Sequence, residues 1–391
     1  MRKLKTGDRM TKIFRSFLSL ALLLAGILTA LPGAAESFLV VSDTHITENS
    51  RDQAAVWDAV IKAAKGKDAV LLLGDNTNNS HPEEHDLVLA WVRRIREDTG
   101  AAVYLIPGNH DYTRPFGPRG FLNLYGAYGP QSAFSRDAAT AGHAVMTKKG
   151  TCLIMLDTNL HDPSGSLPAD GGIGGRTLTW IREVLSSLPD GTPVLVCGHH
   201  PILPKARDTR TPGAAALSNL LREYGAGLYL CGHDHGFATV EAEGLRQITV
   251  GQPHMYPGCV GILERDGGAF TWRTQRLFSE GSVTFLGMRK DALSLGRQMA
   301  LGALASTPYA HDEGAVEWYV SAYILFAGGE MTKEESQRLL NDGNCEKWRS
   351  SETRTVVKSW IMGLLENVPD DVRQVYVPSS VKHAAAKDFF R

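Results

Sequence analysis

Five short polar motifs carry the chemical potential of this 391-residue sequence: Asp43-Thr44-His45, Gly74-Asp75, Gly108-Asn109-His110-Asp111, Gly198-His199-His200 and Gly232-His233-Asp234-His235. Two carboxylates, one carboxamide and four imidazoles among them are hard-to-borderline oxygen and nitrogen donors. Such donors suit manganese, iron or zinc rather than a thiolate-seeking metal. One ion would not use them all. With Asp75 bridging, Asp43, His45 and His235 complete one ion while Asn109, His199 and His233 complete the other, giving a pair of divalent or mixed-valence transition-metal ions. His200 adjoins His199, and either imidazole could fill that position. Two cations about 3.5 to 4 Å apart can lower the pKa of a bound water, making a nucleophile at neutral pH, and stabilise both the attacking and the leaving oxygen of a displacement. No protein nucleophile is then needed. The leaving oxygen still wants a proton, and His110, beside Asn109 but outside the metal set, is the candidate general acid. Asp111 is the candidate to orient the His110 imidazole, or else to cap the following turn.

These residues lie far apart in the chain, so the elements that gather them matter. Short apolar runs at 37–41, 69–73, 103–106, 152–156, 194–197 and 228–231 read as buried strands, and each motif follows one of them. Open α/β sheets place their ligand crevice at the carboxyl ends of strands, where separate segments can converge. Helical patterns at 53–64, 82–95 and 178–188 alternate with the strands, which argues for an α/β layer structure. After Gly236, runs at 238–243, 246–250, 260–264 and 269–276, with Asp266-Gly267 as a hairpin signal, predict an antiparallel meander ending the same domain. Beyond Gly281 the pattern is helical at 292–304, 315–326, 332–340 and 353–365, with Thr332 and Glu335 as a capping box. The stripe Val316, Trp318, Tyr319, Tyr323 and Phe326 reads as bundle core.

Other polar residues receive lesser roles. His81 and His85 sit at a helix start and read as structural. His254, in Gly251-Gln252-Pro253-His254, is a candidate to reach substrate from the meander. The stretch 169–176, with four glycines, is expected to be a surface loop, with Arg176 or Arg114 available to a phosphate oxygen.

Composition bounds the partners. Apolar residues at 43% and charged residues at 21% are ordinary globular usage, so wholesale disorder is excluded. Forty-one basic against 42 acidic side chains leave a formal charge of −1, without the basic footprint a nucleic-acid binder needs. A small phosphoester substrate fits better. The basic cluster Arg2, Lys3, Lys5, Arg9, Lys12 and Arg15, the apolar run 17–31 and the small residues Gly33, Ala34 and Ala35 read as a secretory signal cleaved near Glu36, or as an uncleaved anchor. Either places the body of the protein outside the cytoplasm, in the periplasm, the envelope or the medium, with membrane contact only through that segment. Five cysteines without C-x-x-C spacing give neither a disulfide framework nor a zinc ribbon.

Taken in order, Asp43-x-His45, Gly74-Asp75, Gly108-Asn109-His110-Asp111, Val196-x-x-His199 and Gly232-His233-x-His235 resemble the signature of the calcineurin-like metallophosphoesterases, over about 37–276. The resemblance implies a four-layer α/β sandwich of two mixed β-sheets flanked by helices, a dinuclear metal centre and hydrolysis of phosphate esters. It favours His199 over His200 as the ligand. The stretch from Arg176 through Trp180 to His200-Pro201 resembles the bacterial cyclic-nucleotide and glycerophosphodiester phosphodiesterase branch, so phosphodiesters are the implied substrates. Purple acid phosphatases of the superfamily carry a tyrosine ligand where this sequence has Asn78. Its large periplasmic nucleotidases follow the Asn-His pair with glutamate, where this sequence has Asp111. A phosphomonoesterase or nucleotidase is therefore the alternative, and a non-catalytic metal-containing envelope binding protein another. The expected organisation is a signal segment at 1–35, a catalytic domain at 36–280 and a small helical C-terminal domain at 281–391, a possible surface for a protein partner.

Overall fold

The computed structural model describes residues 35–48, 53–112, 116–160, 169–204, 211–328, 330–352, 356–366 and 374–383. Residues 1–34 of the expected signal segment and Arg114 lie outside them. Continuous apolar runs form strands whose two faces are both covered. In chain order the first part comprises β1 (Glu36–Val41), α1 (Ala54–Ala64), β2 (Ala69–Leu72), α2 (Pro82–Thr99), β3 (Ala102–Leu105), a 3-10 turn at Asn109–Asp111 and α3 (Gly117–Tyr125). There follow β4 (Ser135–Arg136), β5 (His143–Met146), β6 (Cys152–Met155), α4 (Gly175–Ser187), β7 (Val194–Cys197), α5 (Ala214–Glu223) and β8 (Leu228–Cys231). The remainder is β9 (Ala238–Ala242), β10 (Leu245–Thr249), β11 (Cys259–Asp266), β12 (Ala269–Arg276), α6 (Val283–Leu304), α7 (Glu313–Ala327), α8 (Lys333–Leu340), α9 (Gly343–Ser350), α10 (Val356–Glu366) and β13 (Gln374–Pro378).

Two mixed sheets result, in the orders β13-β12-β11-β1-β2-β3 and β4-β5-β6-β7-β8-β10-β9. Phe38, Val40, Leu71, Met155, Leu195, Leu230 and Trp272 fill the layer between them. The outer face of the first sheet packs on α1 and α2 through Trp57, Val60, Val88 and Val92. That of the second packs on α4 and α5 through Ile181, Val184, Leu217 and Leu221. This is the four-layer α/β sandwich expected. Parallel register aligns the strand ends: Val41 pairs with Leu72, Leu72 with Leu105, Met155 with Cys197 and Cys197 with Leu230. Each polar motif therefore leaves its sheet at the same edge.

Three expectations are corrected. The run after Gly236 is no single meander, because β10 pairs parallel with β8 in the second sheet whereas β11 joins β1 in the first. Asp266 pairs with Ala269, so the hairpin loop is Gly267-Gly268, one residue later than the signal suggested. The segment after 281 is not wholly helical either. Its helices share a core of Ala300, Leu304, Val316, Trp318, Tyr319, Trp348 and Ile361, and the Thr332 hydroxyl accepts from Glu335 N at 3.2 Å as the capping box requires. β13, however, returns to the first sheet. Val375 pairs with Trp272 and Val377 with Phe270, and both valines are buried in the inter-sheet layer, while Tyr376 between them is 66% exposed. Just beyond, Ser379 Oγ donates to Val194 O at 2.6 Å and Val381 N to Thr192 O at 2.9 Å. A boundary at 281 thus leaves one strand of the first sheet in the wrong unit. Among the described residues no helix is long and apolar enough to cross a membrane, and the five cysteines are buried and form no disulfide with one another.

Candidate active site

The β1 and β2 ends are tied together first. Asp43 N donates to Gly74 O at 3.0 Å and His45 N to Asp75 O at 2.9 Å, so the two motifs run side by side. From the second sheet, Gly232 N donates to His199 O at 3.0 Å, and His233 N reaches the Asp43 carboxylate at 3.1 Å. The side chains then converge. His45 Nε2 lies 3.1 Å from His235 Nε2 and 3.5 Å from Asp75 Oδ2, and His235 Nε2 lies 3.5 Å from Asp43 Oδ1. On the other side of Asp75, His199 Nε2 is 3.2 Å from the same Oδ2, and the His199 and His233 ring centroids are 5.3 Å apart.

Backbone conformation marks the same residues. Among the described residues seven non-glycines have positive φ, and five of them are Asp43 (53°), His45 (39°), Asp75 (49°), His233 (71°) and His235 (60°). Left-handed backbone costs an L-residue about 1–2 kcal/mol. It persists where the surroundings over-determine it, typically at functional sites. Close approach is built in as well. A Cβ on Gly108 would lie 2.2 Å from Asp75 Oδ1, so only glycine lets the β3 motif sit against the Asp75 carboxylate.

The donor set fits a metal pair. Asp43 and Asp75 are buried, and their ion-pair partners among the described residues are histidines, with neither lysine nor arginine to balance them. Asn109 Oδ1 and His45 Nδ1 are buried without a hydrogen-bond partner, and His199 Nε2 has none of good geometry. An unpaired buried acceptor costs about 1–3 kcal/mol, which a cation removes. Burial pushes His45 down to about 3 and His233 down to about 4, so both imidazoles are neutral donors near pH 7. Burial pushes the Asp43 carboxyl up to about 7, against the opposing pull of His199. For His199, burial favours the neutral ring, but Asp75 and then Asp43 outweigh it and raise the group to about 9.

Hydrogen bonding distinguishes the two candidate ligands His199 and His200. His199 Nδ1 bonds Leu73 O at 2.9 Å, which leaves Nε2 aimed at Asp75. His200 stands close enough to His199 and His233 to share a metal with them by proximity alone. Both its nitrogens are engaged, however: Nδ1 with Thr158 Oγ1 at 2.7 Å and Nε2 with Ala169 O at 3.0 Å. The glycine-rich stretch is therefore not a free surface loop, since Gly171, Gly172 and Ile173 are buried against His200 and Leu160. Arg176 is exposed in the first turn of α4. His85 bonds Tyr125 Oη at 2.8 Å and Ser80 Oγ at 3.0 Å, a structural role. His254 comes close enough for its charge to depress His45.

His110 is exposed at the rim, with its ring centroid 4.7 Å from that of His45. Its backbone N donates to Asp75 Oδ1 at 2.8 Å, and its Nδ1 lies 2.6 Å from the Asn78 carbonyl. The orienting partner is that carbonyl and not Asp111, which corrects the expected role. Asp111 Oδ1 accepts from Thr77 N (2.8 Å) and Oγ1 (3.0 Å), and Oδ2 from Gly108 N (2.9 Å), Asn76 Nδ2 (2.9 Å) and Asn76 N (3.1 Å). It pins the β2 and β3 loops together beneath the site. The reading from sequence missed Asn76, Thr77, Asn78 and Thr158; the first three directly follow Asp75, which was the available signal. Replacing Asp111 with alanine strands several buried donors at about 1–3 kcal/mol each. We expect Asp111→Ala to lower stability by at least about 3 kcal/mol in urea titration and to weaken metal retention; a variant as stable as the parent would refute that bracing role.

Two mixed sheets that deliver carboxylate, carboxamide and imidazole groups from strand ends to one point define a metal-dependent phosphoesterase scaffold. The calcineurin-like phosphoesterase family model matches residues 37–237, and the chain belongs to that family, whose members use a dinuclear metal centre. It is similar to a probable cyclic nucleotide phosphodiesterase of Rhodococcus erythropolis, 26% identical over 227 residues that cover 53% of this chain and 68% of that protein. It is also similar to the tartrate-resistant acid phosphatase type 5 of Rattus norvegicus, 26% identical over 193 residues, 46% of this chain and 58% of that one. The chain thus spans between half and about two thirds of these relatives. Among solved structures, a dimetal phosphatase from Danio rerio aligns with a TM-score of 0.47 at 16% identity, over 62% of this chain and 97% of that one.

Proposed function

We propose that the protein hydrolyses phosphodiesters with a two-metal centre in which Asp43, His45 and His235 hold one ion, Asn109, His199 and His233 the other, and Asp75 both. The observation that carries the proposal is the placement of the Asp75 carboxylate between His45 and His199, with His110 anchored to its other oxygen. When bound, the ions supply a nucleophile from water at neutral pH and positive charge for the phosphoryl oxygens. The chain's own groups do the rest. His45 and His233 stay neutral by burial and keep their lone pairs. His110 donates from Nδ1 to the Asn78 carbonyl, so in the imidazolium form the proton for the leaving oxygen is carried on Nε2, and the ring is left neutral once it is delivered. Exposure of His110 at the rim lets leaving groups of varied size reach it.

The probable cyclic nucleotide phosphodiesterase among the relatives, and Asn78 in place of a ligating tyrosine, support the diester preference. The similarity to an acid phosphatase favours a phosphomonoesterase as second reading. The partner is a small phosphoester and not nucleic acid, in keeping with the balanced charge. The basic cluster followed by an apolar run supports action outside the cytoplasm. Parallel rates of metal-replete protein on p-nitrophenyl phosphate, bis(p-nitrophenyl) phosphate and 2′,3′- and 3′,5′-cyclic nucleotides test the reading. We expect kcat/KM to be highest on a diester. A monoester turned over faster than every diester would favour the second reading, and no turnover of any ester would refute hydrolysis.

A further inference from the structure

Between the site and the C-terminal helices lies a cavity of about 350 Å³, within the range of small-molecule sites. One end is formed by Asp234 and His235; the rest, among the described residues, includes Met299 of α6, Tyr323 and Phe326 of α7 and Trp360 of α10. The helices are fitted closely to the site loop. A Cβ on Gly236, one residue past His235, would lie 2.1 Å from the Phe326 ring, so α7 rests directly on the segment that carries His233 and His235. Away from Asp234 and His235, the lining side chains among the described residues offer only the Tyr323 hydroxyl and the Trp360 indole N–H as polar groups. A nucleobase has several ring and exocyclic polar atoms, and this wall would leave most of them unpaired, at about 1–3 kcal/mol each. A hydrocarbon has none.

We infer that this cavity is a specificity pocket that takes an alkyl or acyl chain attached to the phosphoester, with the phosphoryl group at the metal centre and the chain between α6, α7 and α10. The inference rests on the two-metal reading, because His235 belongs to both the metal site and the pocket wall. The flexible thioethers of Met255 and Met299 suit a chain of variable shape. The helical tail, which the sequence offered only as a surface for a protein partner, thereby becomes the element that selects substrate.

The test is calorimetric binding of methyl-, butyl- and octylphosphonate to the full chain loaded with Mn²⁺, so that the metal-seeking head group is constant and only the chain varies. We expect octylphosphonate to bind at least about 10²-fold tighter than methylphosphonate, given the stabilisation from burying each methylene. Leu295→Glu, at a rim position 40% exposed, should bring that ratio below about tenfold. Leu286→Glu, 53% exposed on the same helix and outside the cavity, should preserve it. Trp360→Ala gives a second, independent reduction. Equal affinity across the series would overturn the pocket and leave the hydrolase reading standing. Tight octyl binding untouched by Leu295→Glu and Trp360→Ala would place the chain elsewhere and equally overturn it. Failure of the protein, with both metals present, to bind any phosphonate would remove the function reading and the pocket with it.

Discussion

Asp75→Asn should abolish the occupancy of two ions per chain and lower turnover by well over about 10²-fold. Loss of an outer partner of a metal ligand typically costs 10–100-fold, so loss of a ligand shared by both ions must exceed that. The geometry explains why the effect reaches both halves of the site. Asp75 Oδ2 is 3.5 Å from His45 Nε2 and 3.2 Å from His199 Nε2, while Oδ1 accepts from His110 N. Asparagine keeps the shape and one acceptor for the His110 amide, so the loops should hold, but it removes the negative charge and puts an amide nitrogen, which donates and cannot ligate, in place of Oδ2. His45→Ala, by contrast, should deplete mainly one ion. Elemental analysis of both variants beside the parent decides the matter. Two ions retained in Asp75→Asn with turnover intact would remove the bridging assignment.

His110→Ala should separate proton transfer from metal binding. Its imidazole is held by the Asn78 carbonyl and its backbone by Asp75, with Nε2 left for chemistry. General acids contribute typically about 10²- to 10⁴-fold, and most where the leaving group is a poor one. We expect a loss of that order in kcat on an alkyl phosphodiester, a much smaller one on a p-nitrophenyl diester, and both ions retained. The two substrates share the ions and the attacking water, so the ratio of losses reports on the leaving oxygen alone. Equal losses with full metal content would assign His110 to positioning rather than protonation.

Much of this site was legible because it obeys a simple rule: apolar runs end and polar motifs begin. β7 and β8 coincide with the runs at 194–197 and 228–231, and β1, β2, β3 and β6 agree with theirs to within a residue at either end. The candidate ligands were read from those endings. What was illegible depends on partners distant in sequence. Asp111 resembles an orienting carboxylate beside His110 in the chain, yet the 3-10 turn at Asn109–Asp111 directs it down to Asn76 and Thr77. The motif spacing favoured His199 over His200, but the reason, Thr158 and Ala169 occupying the nitrogens of His200, lies in contacts distant in sequence. β4 is two residues long, too short to register, and β5, though as long as β2, opens on His143 and so lacks the unbroken apolar run that marked the other short strands. β13 alternates Val375, Tyr376 and Val377 correctly, but a strand of five residues after a helical stretch has no local feature that names the sheet it joins.

β13 also imposes an order on biogenesis. The outer edge of β12 is complete at Arg276, and its pairing partner begins only at Gln374. At ~5–20 residues per second, a ribosome needs about 5 to 20 s to make the intervening chain. Throughout that interval a row of unpaired N–H and C=O groups, next to Phe270 and Trp272 whose cover of Val375 and Val377 does not yet exist, is open to pairing with any other nascent strand. The nascent protein therefore has every candidate metal-ligating residue, up to His235, synthesised well before its first sheet can close.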